Sequence, residues 1–507
     1  MKHIFYPLFL SLPLLAQEPT LYTDLPDPSM IRVSDTYYMS ATTMHMNPGV
    51  PILSSKDLAN WKMISYAYPI LEEGEVYELK EGRNMYSKGS WASSLRYHQG
   101  KYYVSTFSHT SGKTYIFITD SLESGKWEVK SFAPALHDHT LFFDDAGKAH
   151  MIYGGGKLKM VQLKDDLSGL LPGEKVLIEN ATAPIGNSYI LHAEGSQLFK
   201  HEGKFYLFNI AWPRGGMRKV IVHRSDSLDG PWEGRVAFQD LGVAQGGLID
   251  TPDGRWFAYL FRDMGAVGRV PYWVPVVWED GWPVLGENGK VPVRLDLPES
   301  RGLAPGLVAD DDFSRAAGQA DLPLVWQWNH NPEPKLWSLT ERKGFLRLRT
   351  DRKDSSVLQA RNTLTQRTFG PESGAEVRLE LSGLKEGDRA GLLALQSDYG
   401  WIGVKVKGGK RFLVIETAEN DAVQEKWVMP WETDEVYLRL HCDFRDFKDQ
   451  ASFAYSAEGT KWISPAVTLA MKYKLTHFMG YRFGLFMYAT QETGGYADFD
   501  YFKLFKP

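Results

Sequence analysis

One short pattern recurs five times between about Leu21 and about Val293. An apolar run leads into an Asp- or Gly-containing turn, an aromatic pair follows, and a strand closes on Trp or on a Ser-Lys or Ser-Asp tail. The copies open at DPSMIRV from Asp27, WASSLRYHQGKYYVSTF from Trp91, DHTLFFDDAGKAHMIYGG from Asp138, EGSQLFKHEGKFYLFNIAW from Glu194 and QGGLIDTPDGRWFAYLF from Gln245. Turns such as HQGK, DAGK, HEGK and PDGR separate segments that alternate apolar and polar residues, the period of a β-strand. Glycine supplies the positive φ that such hairpin turns need. Short-stranded repeats of about 45–60 residues predict a β-propeller, here of five blades, each a four-stranded sheet around a central channel.

The repeats also place chemistry. In the first, third and fourth, a carboxylate stands just before the first apolar strand: Asp27, Asp138 and Glu194. Innermost blade strands line the axis, so these three acids are expected to converge on one pocket. Like charges crowded into a narrow, partly dry mouth cannot all ionise, so one pKa rises while another stays low. Glycoside hydrolysis needs that division, with one carboxylic acid protonating the leaving oxygen and one carboxylate activating water or attacking the anomeric carbon. The alternative is that these acids cap turns or bind an axial cation.

The 507 residues exceed what one core organises and predict two domains. After a Pro- and Gly-rich linker over 294–309, the DDDFSR stretch at Asp310 opens a second all-β segment reaching residue 507. Its short alternating strands, among them AEVRLELSG, GWIGVKVKG, EVYLRLHCDF and YADFDYFKLF, predict a β-sandwich of about 200 residues. The 57 basic and 62 acidic residues nearly balance and no basic stretch occurs, which excludes a nucleic-acid binder. The 16 Trp and 25 Tyr suit half-buried sheet surfaces and also suit stacking on sugar rings. Lys2, an apolar run from Ile4 to Ala16 and the polar Gln17 that follows have the layout of a cleavable secretory signal over residues 1–16, too short to span a bilayer. A soluble periplasmic or secreted protein is expected, its propeller occupying 17–293. The single Cys442 cannot form an internal disulfide.

The segments LPDPSMIRVSDTYYMSATTMHMNPGVPILSSKDLANW, HDHTLFFDDAGKAH and HAEGSQLFKHEGKFYLF, with RSDSLDGPWE and WEDGWPVLG, make the chain resemble glycoside hydrolase family 43. The DDFSR…GGYADFDYFKL stretch is similar to the jelly-roll, concanavalin-like sandwich of that family's xylosidase and arabinofuranosidase branch. The resemblance implies roles: Asp27 as general base, Glu194 as general acid, and Asp138 as the carboxylate that sets the acid's pKa and orientation. It also implies inversion at the anomeric carbon, for which acid and base stand about 6.5–9.5 Å apart. Arg269 matches an arginine pointed at substrate hydroxyls, and Trp91 an aromatic packed on the sugar, with a surface arginine and a buried blade tryptophan as their alternatives. Met44 and His45 stand where relatives place aromatics, and His137 precedes the second acid; each is a candidate substrate contact or simply a packed residue. Gln245 replaces a histidine that in relatives coordinates an axial calcium or water, which puts a propeller calcium in doubt, since its amide is a weak neutral donor. In the sandwich, Asp498 and Asp500 resemble calcium-binding turns, with water-exposed strand-edge acids as the alternative. No cofactor is required on this reading, and a structural calcium is left as an alternative.

The expected activity is exo-acting removal of terminal α-L-arabinofuranosyl groups from plant hemicellulose side chains. A β-D-xylosidase acting on xylo-oligosaccharides, or a bifunctional enzyme, stands beside it. A non-catalytic carbohydrate-binding propeller is the alternative of another class, and three costly buried carboxylates argue against it.

Overall fold

The structure is a computed structural model and describes residues 19–300, 303, 305–316 and 318–505. The expected signal, Met1–Ala16, lies outside the described residues. Five four-stranded antiparallel sheets form the propeller. Their innermost strands are Ser29–Val33, Ser94–His98, Thr140–Phe143, Tyr189–His201 and Ala244–Asp250, and successive hairpins carry each sheet outward in strict sequence order. The first blade completes its sheet without borrowing a strand from the last. Side chains close the ring instead: Arg32 of blade one pairs with Asp250 of blade five, and the Trp273 indole donates to the Leu58 carbonyl at 2.6 Å.

Neighbouring blades are stitched by hydroxyls at the head of each inner strand. Ser29 Oγ accepts the Leu95 N–H at 3.0 Å, Ser94 Oγ that of Leu141 at 3.1 Å, and Thr140 Oγ1 that of Leu198 at 3.5 Å. This stitching makes Ser29, Ser94, Thr140 and Gln197 equivalent positions. Two residues before them stand Asp27, Ala92, Asp138 and Gly195, and these four line one small axial cavity together with Gln245. At this place Asp27, Asp138, Gly195 and Gln245 have φ of 51°, 48°, 67° and 53°. A left-handed turn into the inner strand is costly for a side chain other than Gly, and Asp tolerates it better than most.

The stitching also corrects one expectation. Glu194 stands one residue earlier than Asp27 and Asp138, in register with Trp91. The reason is local: pairing of Tyr189–His201 with Lys204–Pro213 shifts register between Leu191 and Glu194 and again between Glu194 and Gln197, so the strand bulges there. A bulge re-aims a side chain.

The sandwich packs an eight-stranded sheet against a seven-stranded one. Its edge reaches into the propeller segment, because Met46–Asn47, a short strand inside blade one, pairs with Trp328 and Asn329. Apolar packing is continuous across the junction, running from Phe208, Val220 and Val274 of blades four and five to Leu392, Leu438 and Phe483 of the sandwich. The two units are therefore separate in sequence except at this strand, and joined through one core. Of the linker, Leu307 is fully buried beneath blade one, and the Pro305 carbonyl accepts the Met63 N–H.

Candidate active site

Asp27 ends the turn into the first inner strand and is 6% exposed. Both its oxygens are engaged: Arg269 Nη1 donates to Oδ1 at 2.9 Å and to Oδ2 at 3.0 Å, and the Thr42 hydroxyl donates to Oδ2 at 2.7 Å. Arg269, 3% exposed, heads the third strand of blade five, and its backbone N–H donates to Asp24. This arginine grips the carboxylate expected to be the base. Among the described residues, its guanidinium carbon also lies 4.4 Å from the ring centre of Phe478, which belongs to the sandwich.

Across the axis, Glu194 Oε2 sits between two imidazoles, 3.2 Å from His137 Nε2 and 3.3 Å from His192 Nε2. Asp138 Oδ2 is 4.0 Å from the same His137 nitrogen. Ligand-type atoms of His137, Asp138 and Glu194 all lie within 4.8 Å of one another, and Asp27 does not join this cluster. Burial pushes the Asp138 carboxyl up, and the Glu194 and Asp27 charges push it further, against the lowering pull of His137 and Arg269. Burial works against a charged His137, but its contact with Glu194 and the two carboxylate charges outweigh burial and raise it. Protons in such a cluster belong to the set and not to one member. Chemically, the site holds a proton-carrying cluster on one side and a carboxylate fixed by a cation on the other. That is the division of labour for protonating a leaving group and activating water.

The cluster predicts opposite pH effects from two neutral substitutions. His137→Gln removes a cation that favours ionised carboxylates, so the acid keeps its proton longer and the basic limb of kcat/KM moves up by about one unit. Asp138→Asn removes an anion that favours the protonated acid, so the same limb moves down by a similar amount. Profiles of both variants check this, and shifts in the same direction would contradict the cluster.

The remaining expected contacts divide. Trp91 is half-buried beside the site, its ring 5.3 Å from Phe478, 5.0 Å from His109 and 6.3 Å from His137. Gln245 turns onto the axis against Gly195, where an added Cβ would meet its amide at 2.8 Å. Met44 is buried, and its backbone pairs with Ser90. His45 is wholly buried and packs edge-on to Tyr86 and near His330 and His477, in the seam between domains and not at the opening. The strand Met46–Asn47 draws it there, because pairing with the sandwich pulls the loop away from the axis. Asp498 is gripped by Arg347 through both oxygens at 2.7 Å and by Arg342 at 3.1 Å, and Asp500 accepts from Arg378 at 2.7 Å. Their cationic partners are guanidinium groups, so this donor set does not fit a calcium ion.

Sequence reasoning missed three residues. His192 stands two positions before Glu194 on one strand, and period-two alternation could have put it on the same face. Thr42 lies in the ATTMH segment with no pattern of its own. Phe478 comes from a sandwich loop more than 450 positions from Asp27 in the chain, a contact no local motif encodes.

Two family models match the chain: glycosyl hydrolases family 43 over residues 16–283 and the beta xylosidase C-terminal concanavalin A-like domain over residues 310–504. The chain belongs to glycosyl hydrolase family 43. A solved structure of a bifunctional GH43-CE protein from Bacteroides eggerthii superposes with a TM-score of 0.95 at 59% identity, covering 97% of this chain and 64% of that one. This family 43 chain thus spans less than two thirds of that protein's length. A beta-xylosidase from Formosa agariphila is 31% identical over 96% of this chain and 89% of its own. A non-reducing end alpha-L-arabinofuranosidase from Bacteroides ovatus is 26% identical over 78% of this chain and 77% of its own. The all-β fold, the five blades, the concanavalin-like sandwich and the assignment as a glycoside hydrolase are as the sequence predicts.

Proposed function

We propose that this hydrolase removes single terminal pentose units from hemicellulose oligosaccharides and side chains with inversion, taking β-D-xylosyl groups ahead of α-L-arabinofuranosyl groups. The observation that carries it is the split site: Glu194 clustered with His137 and Asp138, Asp27 apart from them and fixed by Arg269 and Thr42. In this reading Glu194 donates a proton to the glycosidic oxygen as the bond breaks. Asp27 takes a proton from the water that attacks the opposite face. Asp138 and His137 govern when Glu194 holds its proton.

The sequence alone put the arabinofuranoside first. Support for the reversed order is that a relative 31% identical over 96% of this chain is named a beta-xylosidase. The two pentoses present hydroxyls in overlapping positions, so one pocket serving both is compatible with the arrangement. Hydrolysis of the two 4-nitrophenyl glycosides tests it, with kcat/KM for the β-D-xyloside expected to exceed that for the α-L-arabinofuranoside by about tenfold or more. A furanoside preference of that size would reverse the assignment, and α-xylose as first product by NMR would support inversion. Export through cleavage near Ala16 belongs to the same proposal, and N-terminal sequencing of the mature protein checks it.

A further inference from the structure

Phe478 reaches the site at the tip of a sandwich loop joining the strands Thr468–Ala470 and Arg482–Ala489. Its own backbone is left-handed, with φ of 55°. Only partly covered, its ring sits over Arg269 and beside Trp91. A half-buried aromatic at a loop tip keeps such a position only if something holds the loop. The residue before it supplies the hold. His477, 2% exposed, lies parallel to Tyr86 with ring centres 3.9 Å apart and planes 6° apart.

Tyr86 belongs to the propeller, yet its hydroxyl donates to the Leu358 carbonyl at 2.7 Å and accepts from Asn329 at 2.8 Å, both in the sandwich. His45 and His330 close the cluster from either side of the seam, at ring separations of 4.6 Å from Tyr86. His330 Nε2 accepts the Met85 N–H at 3.0 Å, which fixes the neighbouring backbone as well. On the far side of Phe478, Asp24 accepts from Gly480 N–H at 3.0 Å and from Arg269 N–H at 2.7 Å, so one carboxylate registers the loop against the base's arginine. Gly480 must be glycine, because a Cβ there would lie 2.1 Å from the Val267 carbonyl oxygen.

We propose that His477 and Tyr86 are positioning residues: a ring stack across the domain seam that sets Phe478 as a wall of the sugar pocket, so that the sandwich completes the site. Neither ring of the pair touches substrate. The stack acts through Phe478, and its loss lets that ring leave Arg269 and Trp91 without touching the proton-transfer groups. The inference rests on the glycosidase reading but not on which pentose is preferred.

The experiment compares His477→Ala, His477→Phe, Phe478→Ala and the double variant His477→Ala/Phe478→Ala on whichever aryl glycoside the native protein hydrolyses faster. Affinity for free D-xylose and L-arabinose is read by calorimetry beside it. His477→Ala should raise KM and weaken pentose binding by about tenfold while kcat changes less than about twofold. His477→Phe, which keeps the stack, should restore both. The double variant should be no worse than Phe478→Ala alone, because the two act as one unit. A lower melting temperature with unchanged KM, or losses that add in the double variant, would overturn the proposal. Should His477→Ala be insoluble, Tyr86→Leu removes the stack from the propeller side with the same expected loss. A native protein inert on both glycosides would count against the glycosidase reading, and pentose binding would still decide this one.

Discussion

Glu194→Gln is expected to hydrolyse xylobiose about a thousandfold more slowly than the native protein, the middle of the range for loss of a general acid. The substitution is nearly isosteric and its amide can still bond the imidazoles of His137 and His192, now 3.2 and 3.3 Å from the carboxylate. Packing should survive, so the loss reports chemistry. A sugar alkoxide is a poor leaving group and needs the proton as the bond breaks. A dinitrophenolate leaves without one, so the same variant should keep most of its rate on the 2,4-dinitrophenyl glycoside. Rates on the two substrates, measured side by side, give a ratio that grows with leaving-group basicity. Equal losses on both would remove Glu194 from the acid's role and leave it as a binding group.

How much of this was legible beforehand follows from where each contact lies in the chain. Asp27 and Asp138 could be placed because the repeat fixes the residue two before each stitching hydroxyl, and repetition is what a linear reading detects. Glu194 was found by the same logic although it sits one residue early. The bulge in its strand compensates, and a bulge leaves no mark in an apolar–polar pattern. The hold of Arg269 on Asp27 has no local signal, since it depends on blade five closing against blade one. His45 was misplaced for a similar reason. The pairing of Met46–Asn47 with Trp328 and Asn329 joins segments some 280 residues apart and reverses which way the loop faces.

In the sandwich, two strands lack the signals that mark the others. Arg482–Ala489 is buried along its whole length at the centre of a sheet, so its residues show no period of two. Ala422–Trp431 is an edge strand with a mostly exposed, polar face and so resembles a loop. Phe478 lies between these cases, in an irregular loop whose meaning depends on domain docking. The chemistry was therefore readable where it rides on the repeat and unreadable where one domain completes the other.

The second large effect falls on Asp27, and it differs from the first in kind. Asp27→Asn should lower kcat by about 10² to 10⁴ on xylobiose and the 2,4-dinitrophenyl glycoside alike, because a missing base slows water's attack whatever group departs. It should also destabilise the fold. Arg269 is 3% exposed, and losing its carboxylate leaves a buried cation with the Phe478 ring and carbonyl, the Phe261 ring at 5.5 Å and the more distant charges of Asp24 and Asp263 as partial compensation. Breaking one partner of a buried pair costs about 3–5 kcal/mol. The two consequences can be separated, since an apolar side chain in place of the orphaned cation removes the desolvation penalty but supplies no base. Asp27→Asn/Arg269→Met should thus recover melting temperature and not rate. Calorimetric melting and initial rates on both substrates measure the pair of effects. Recovery of rate along with stability would make Asp27 a structural partner of Arg269, and the base would then have to be sought elsewhere on the axis.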